Sequence, residues 1–132
     1  MATTKSPYRY KASHRFARMS VRKVRPLLDL IRFHAAAEAM NTLKYMPHRG
    51  ARMIEQVLKS AMANAEDRGV RNVGSLLVAD ARGDGGPMFK RTMPRARGMA
   101  YLVRHRSCHI TIGLGTPDDI YFGGSEDEQY EE

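Results

Sequence analysis

The stretch from Ala81 to Ile112, ARGDGGPMFKRTMPRARGMAYLVRHRSCHITI, most constrains what this chain can become. Between Arg82 and Ile112 it carries seven Lys or Arg (Arg82, Lys90, Arg91, Arg95, Arg97, Arg104, Arg106) and one carboxylate, Asp84, so its charge cannot be neutralised within the segment. Both flanks read as strands. Leu76, Leu77, Val78 and Ala79 form an apolar run into Asp80, and Ile110 and Ile112 alternate with His109 and Thr111. Too many residues lie between the flanks for a tight turn, and a structureless connection of that length is unusual inside a compact domain. Two long antiparallel strands meeting at a Gly-Pro-containing tip satisfy both facts. Limbs of roughly 12 residues at about 3.3 Å each would carry such an arm on the order of 40 Å from a body. An isolated two-stranded ribbon is marginal in water, so the arm implies a partner that holds it.

The remainder of the chain supplies the body. Tyr8 to Arg18 interleaves aromatics with cations (Tyr8, Arg9, Tyr10, Lys11, Arg15, Phe16, Arg18) and reads as a strand with one basic face. Ser20 stands where a helix cap would, ahead of Val21, Val24, Leu27, Leu28 and Ile31 at helical spacing. Pro26 lies inside that pattern, where a proline costs roughly 3 kcal/mol, so a kink or a late start is expected. Ala36, Ala39, Met40 and Leu43 mark a short second helix over Ala35 to Leu43, closed by Tyr45-Met46-Pro47. From Pro47 the longest helical pattern runs through Met53, Ile54, Val57, Leu58, Ala61, Met62 and Ala65 to Gly69, with Glu55 and Lys59 paired on its outer face. Helices grouped in the chain beside antiparallel strands define an α+β class: three helices packed on a small antiparallel sheet, with a long β-hairpin arm extending from the body. Residues 1–116 are expected to form a single domain with its arm at about 80–105, and residues 117–132 an acidic, disordered tail.

The net charge of +8 and pI near 10.0 conceal a division along the chain. Residues 117–132 hold seven carboxylates and no Lys or Arg, so residues 1–116 carry 22 cations against seven carboxylates, a net +15. Such a body favours a polyanionic partner. Guanidinium forks match phosphate oxygens, and the glycines among them let backbone approach a crowded surface. A-form RNA hides its bases in a deep, narrow groove, so binding through shape, phosphates and 2′-hydroxyls is expected rather than sequence reading. Met88, Phe89 and Met93 place apolar groups among the cations of the arm, suited to lodge against bases or line a cavity. The lone Cys108 excludes an intramolecular disulfide framework and fits a reducing compartment. No apolar run is long enough to span a bilayer, and the first twenty residues lack the apolar core of a secretory signal, so a cytoplasmic protein with no membrane partner is expected.

Enzymatic chemistry is poorly supplied. His14, His34, His48, His105 and His109 are scattered without metal-ligand spacing, and Cys108 and His109 are sequence neighbours that a strand points to opposite faces. Asp80, Asp84 and His109 could be argued as a nuclease centre, yet the two carboxylates flank a turn and have no third acidic partner nearby. The Gly83–Pro87 run GDGGP has no Gly-Lys-Ser/Thr after it and is turn chemistry, not a phosphate-cradling loop. No catalytic residue, metal or cofactor is expected. On these grounds alone, a free-standing basic nucleic-acid-binding module, such as an RNA chaperone or a DNA-compaction protein, stays open as an alternative.

Four motifs in order carry a resemblance. They are Ser20-Val21-Arg22-Lys23-Val24-Arg25 with Asp29-Leu30-Ile31-Arg32; Ile54 to Glu66, IEQVLKSAMANAE; Gly86-Pro87 with Lys90-Arg91 and Met93-Pro94-Arg95-Ala96-Arg97-Gly98; and Arg106 to Ile112, RSCHITI. Together these resemble the bacterial large-subunit ribosomal protein family known as L twenty-two, over roughly Tyr8 to Ile112. The resemblance implies an rRNA-binding α+β body on the large ribosomal subunit, supporting its assembly, with an extended hairpin running through rRNA to the wall of the nascent-peptide exit tunnel. The implied partners are large-subunit (23S-type) rRNA, neighbouring large-subunit proteins and the nascent polypeptide. It further implies that Arg15, Arg18, Arg22, Lys23 and Arg25 anchor the body, and that Arg82, Lys90, Arg91, Arg95, Arg97, Arg104, Arg106 and His109 hold the arm in RNA. Met88, Phe89, Lys90, Arg91, Thr92 and Met93 would form the tunnel tip, a region associated in the family with macrolide sensitivity. This sequence departs from the family pattern at Pro26, at Val21 where proline is frequent, and at Met99 and Leu102 where arginines are common; its acidic segment runs past the usual end.

Overall fold

A computed structural model describes residues 8–121. The element order is β1 (Tyr10–Ala17), α1 (Val21–Ile31), α2 (Ala36–Tyr45), α3 (Arg49–Asp67), β2 (Leu77–Gly85), β3 (Phe89–Pro94), β4 (Ala100–His105), β5 (Cys108–Gly115) and α4 (Pro117–Tyr121). β1, β5 and β2 form an antiparallel sheet in that spatial order, and β3 with β4 forms a separate two-stranded ribbon. The architecture is therefore α+β, with three substantial helices against one face of the sheet and a hairpin projecting from it.

Periodicity explains the body. Val24, Leu27, Leu28 and Ile31 of α1, Ile54, Val57, Leu58, Ala61 and Ala65 of α3, and Ala36, Ala39 and Leu43 of α2 are buried against Val78, Ala81, Cys108, Ile110, Ile112 and Leu114 of the sheet. Each of these Leu, Ile and Val side chains removes enough apolar surface from water to contribute about 1.5–3 kcal/mol. Ser20 caps α1, its hydroxyl accepting the Arg22 N–H at 3.3 Å. The helix starts at Val21 and continues through Pro26, in place of the late start considered above. Pro26 is exposed, so the carbonyl that its missing N–H leaves unpaired can face water. α3 begins at Arg49, two residues after Pro47, and ends ahead of Gly69, whose φ is +87°. The expected Glu55–Lys59 pair is replaced by Arg52, which donates to Glu55 at 2.6 Å and also to the carbonyls of Leu43, Lys44 and Met46. One guanidinium thereby satisfies the open carbonyls at the end of α2.

Both sheet edges are closed by side chains from α1 and α3 and from the residues that cap their C-terminal ends. Along β2, Arg32 donates to the Ala81 carbonyl at 2.6 Å and Arg25 to the Gly83 carbonyl at 3.4 Å. Along the β1 edge, Asn64 donates to the Lys11 carbonyl at 2.9 Å and Arg68 to the Arg9 carbonyl at 3.0 Å. Capped edges are poor templates for stray strand pairing. At Gly83 a Cβ would stand 3.3 Å from Leu28 Cδ1 and from Val21 Cγ2, so glycine lets α1 lie close over β2 and brings the start of α1 beside the base of the arm.

The expectation of a disordered segment from residue 117 does not hold for its first residues. Gly113 to Gly115 complete β5, and Pro117–Tyr121 form α4. The cause is a local cap: Asp119 accepts the Thr116 hydroxyl at 2.7 Å and amide at 3.1 Å, and its other oxygen accepts Arg9 Nε at 3.0 Å. Residues 122–132, the rest of that acidic segment, lie outside the described residues. Burial alone would raise the Asp119 pKa, but the Thr116 bonds and the Arg9 guanidinium outweigh it and hold the carboxyl below its ordinary value. Its contribution is therefore complete above that ordinary value, about 3.9, and is lost as the pH falls through the depressed folded value. Asp119→Asn is expected to cost about 1–2 kcal/mol at pH 7 in urea unfolding, with the difference from the parent vanishing in acid. A constant difference from pH 7 down to 2 would show that the carboxylate is not held in this way.

Candidate nucleic-acid interface

The ribbon of β3 and β4 pairs Phe89 with His105, Lys90 with Arg104, Arg91 with Val103, Thr92 with Leu102, Met93 with Tyr101 and Pro94 with Ala100. Its turn is Arg95 to Met99, closed by the Arg95 N–H donating to the Met99 carbonyl at 2.8 Å. Arg97 and Gly98 take φ of 59° and 72° there, a left-handed pair in which glycine carries one position without steric cost. The tip is thus not where the sequence reading put it: Met88 precedes the ribbon and Phe89 to Met93 form its outgoing limb. The Gly-Pro segment is a junction. Gly85 pairs with Cys108 and Phe89 with His105, so three residues on one limb oppose two on the other, a bulge. Gly86 N–H to the Ser107 carbonyl at 2.9 Å and Ser107 Oγ to the Pro87 carbonyl at 2.6 Å hold it. Because β2 pairs with β5 along its whole length, only the six-pair ribbon and its turn stand free. At about 3.4 Å per residue the ribbon reaches roughly 20 Å, half of the expected arm.

Cross-strand partners share a face, which sorts the ribbon chemically. Phe89, Arg91, Met93, Tyr101, Val103 and His105 lie on one face, with Phe89 60% and Tyr101 59% exposed. Arg91 stands 5.7 Å from the Phe89 ring centroid and Arg95 5.6 Å from that of Tyr101. On the other face Lys90 and Arg104 are directly opposite one another, a like-charge pair that destabilises a ribbon unless an anion bridges it.

Where the arm meets the body lies a groove of about 1410 Å³. Arg18, Arg22, Lys23, Arg49, Arg91, Arg104 and Arg106 line it, together with Phe16, Ser20, Gly86, Phe89 and His105, and no carboxylate does. Four segments distant in sequence converge here. The helices contribute their first turns, and neither α1 nor α3 has an acidic residue in that turn. Cations at a helix N-terminus oppose the helix dipole by about 0.3–1 kcal/mol each, a cost that an incoming anion reverses.

The structure divides the residues named from sequence. Arg18, Arg22, Lys23, Arg91, Arg104 and Arg106 share the groove. Lys90 is exposed at the base of the ribbon opposite Arg104, outside the groove lining, and Arg95 and Arg97 are exposed farther along the arm, at its turn. Arg15 is exposed, with its guanidinium 5.5 Å from the Phe16 ring centroid. Three others have internal partners: Arg25 bonds the Gly83 carbonyl, Arg82 pairs with Asp80 at 2.8 Å, and His109 Nδ1 accepts the Phe16 N–H at 3.0 Å. Arg49 and Phe16 were not singled out. A cation directly after a helix cap was the readable signal for Arg49; for Phe16 it was the interleaving of aromatics and cations in Tyr8 to Arg18, which placed it on a basic strand but not in the groove. For the nuclease alternative, Asp84 does face His109 across β2 and β5, but Asp80 and His109 are occupied as described. Burial pushes the Cys108 thiol pKa up, away from the reactive thiolate. Among the described residues no three His, Cys, Asp or Glu are grouped to hold a metal, and no helix is long and apolar enough to cross a membrane.

The family model described as Ribosomal protein L22p/L17e matches residues 12–115. The chain belongs to this family. Over 110 residues, 80% of this chain and 92% of the relative, it is 51% identical to the large ribosomal subunit protein uL22 of Rhodopirellula baltica. It is 52% identical to that of Caldicellulosiruptor saccharolyticus over 103 residues, 78% of this chain and 84% of the relative. A Synechococcus uL22 is 46% identical over 119 residues, covering 90% and 99% of the two chains. The family match runs from within β1 to the end of β5, includes every groove residue and stops before α4.

If the groove neutralises phosphates, Arg22→Ala and Arg106→Ala should each weaken RNA binding regardless of sequence. Each should also flatten the slope of log affinity against log salt by about 0.7–0.9, measured by filter binding over a salt series. Unchanged slopes in both variants would remove the groove from the interface.

Proposed function

We propose that this chain is a structural, non-catalytic constituent of the large ribosomal subunit in the cytoplasm. In this reading it binds large-subunit rRNA through the groove at the base of the arm, supports assembly, and presents its β3–β4 ribbon to the wall of the nascent-peptide exit tunnel. One observation carries the reading: in a chain of the L22p/L17e family, seven cations and no carboxylate line the junction of body and arm. That many cations converge at a cost in self-repulsion, and a folded RNA supplies the phosphates that reverse it. The relatives are named as large ribosomal subunit proteins, which supports the same assembly for this chain and neighbouring large-subunit proteins as further partners. In the same reading the domain extends beyond 116 to at least Tyr121, which the Arg9–Asp119 ion pair supports.

In this reading the division of labour follows the ribbon. The Arg95–Met99 turn, with Thr92 and Met93 beside it, faces the tunnel and the nascent polypeptide, while the groove, to which Phe89 and Arg91 contribute, anchors the body. The decisive measurement is the amount of this protein in sucrose-gradient fractions of a lysate washed at high salt. One copy in each large subunit supports the proposal; absence from that peak would favour the free nucleic-acid-binding module. Deleting Ala96 to Gly98 removes the turn of the ribbon and none of the residues that line the groove. The variant is expected to enter large subunits at near-normal stoichiometry yet alter macrolide response or nascent-chain stalling. Loss of incorporation would place the anchor in the ribbon instead.

A further inference from the structure

Phe16 is held in a conformation that folding alone does not favour. Its φ is 59°, in the left-handed region that bulky L-residues avoid, and it sits where the register of β1 against β5 breaks between His14 and Ala17. Ala17 beside it is buried, whereas Phe16 is 56% exposed and lines the basic groove. The bulge thus takes a phenyl ring from the core side of a strand and keeps it in water.

Two contacts with one residue fix that ring. The Phe16 N–H donates to His109 Nδ1 at 3.0 Å, and the two rings meet edge to face, 4.9 Å between centroids at 89°. An accepting Nδ1 requires the neutral imidazole with its hydrogen on Nε2. Backbone strain that the surroundings enforce at a surface position is characteristic of ligand sites. The surroundings name the ligand class, since Arg18, Arg22 and Arg106 line the same groove without a carboxylate. An exposed aromatic face beside a phosphate-binding lane is what stacks a nucleobase.

We propose that Phe16, positioned by His109, is a stacking platform for an unpaired RNA base whose flanking phosphates lie along the groove. This rests on the rRNA-binding reading above and adds a base contact to an interface otherwise made of phosphate contacts. Stacking accepts any base, so the platform selects an unstacked nucleotide, a bulge or loop, over a continuous duplex. Arg15, with its guanidinium 5.5 Å from the ring centroid, is placed to join the stack. His109 is a positioning residue and touches no RNA in this scheme.

The test uses the full chain and deproteinised bacterial large-subunit rRNA as the probe. Filter binding over a salt series should show Phe16→Leu weaker by about tenfold or more with an unchanged salt slope, because stacking neutralises no phosphate. His109→Ala should match that loss, His109→Gln should recover part of it through its amide oxygen, and the Phe16→Leu/His109→Ala double variant should bind no more weakly than either single. Ultraviolet crosslinking of the unmutated chain, read by mass spectrometry, should place a nucleotide on the peptide containing Phe16, which decides the matter even if a variant folds poorly. Affinity of Phe16→Leu within twofold of the parent, or adducts confined to other peptides, would overturn the platform while Arg22→Ala still weakened binding and flattened the slope. Failure of the parent itself to bind the rRNA would instead overturn the reading beneath it.

Discussion

Strand β5 is the member on which everything else depends. It is hydrogen-bonded to β1 on one edge and β2 on the other, and its inner face, Cys108, Ile110, Ile112 and Leu114, is fully buried under the helices. A strand satisfied on both edges and covered on one face cannot slip by one residue without turning that face to water. The returning limb of the arm runs directly into it through Arg106 and Ser107. The direction in which the ribbon leaves the body is therefore set by the best-anchored backbone in the protein, although the ribbon has no core of its own.

Two kinds of cation follow from this arrangement, and they act differently. Arg25, Arg32, Arg52 and Arg68 spend their guanidinium groups on backbone carbonyls of sheet edges and a helix end. Arg18, Arg22, Lys23, Arg49, Arg91, Arg104 and Arg106 converge on one open groove that no carboxylate shares. The first set stabilises the isolated fold, whereas the second opposes it until an anion arrives. Composition counts both sets alike, which is why net charge signals a polyanionic partner without saying which residues meet it.

Much of the fold was legible because it rests on local pattern. The apolar stripes of α1 and α3, the Ser20 cap and the strand flanks of the arm are all periodic or positional signals. The turn of the arm was misplaced because Gly83 to Pro87 has the stronger turn composition, yet Gly83 to Gly85 stay paired in β2 and Gly86 to Met88 make a bulge, while the true turn puts an arginine, Arg97, in the left-handed region. α4 was missed although Thr116-Pro117-Asp118-Asp119 spells a helix start, because the acidic composition downstream outweighed it. Six of the seven groove cations were named individually, but their convergence depends on contacts between segments up to about ninety residues apart, which no window of sequence contains. Phe16 was legible only as one aromatic of a basic strand, and its place in the groove was not, for the same reason: its partner His109 lies 93 residues away.

The Arg9–Asp119 pair has a practical consequence. It joins the beginning of β1 to α4, so both ends of the described chain sit at the pole where β5 finishes, while the groove lies where β5 starts, at Cys108. Eight residues of strand separate the two poles by about 25 Å. A fluorophore or affinity handle attached near Tyr8 or Tyr121 would stand well clear of the groove, so the geometry leaves the groove open in labelled forms of the molecule.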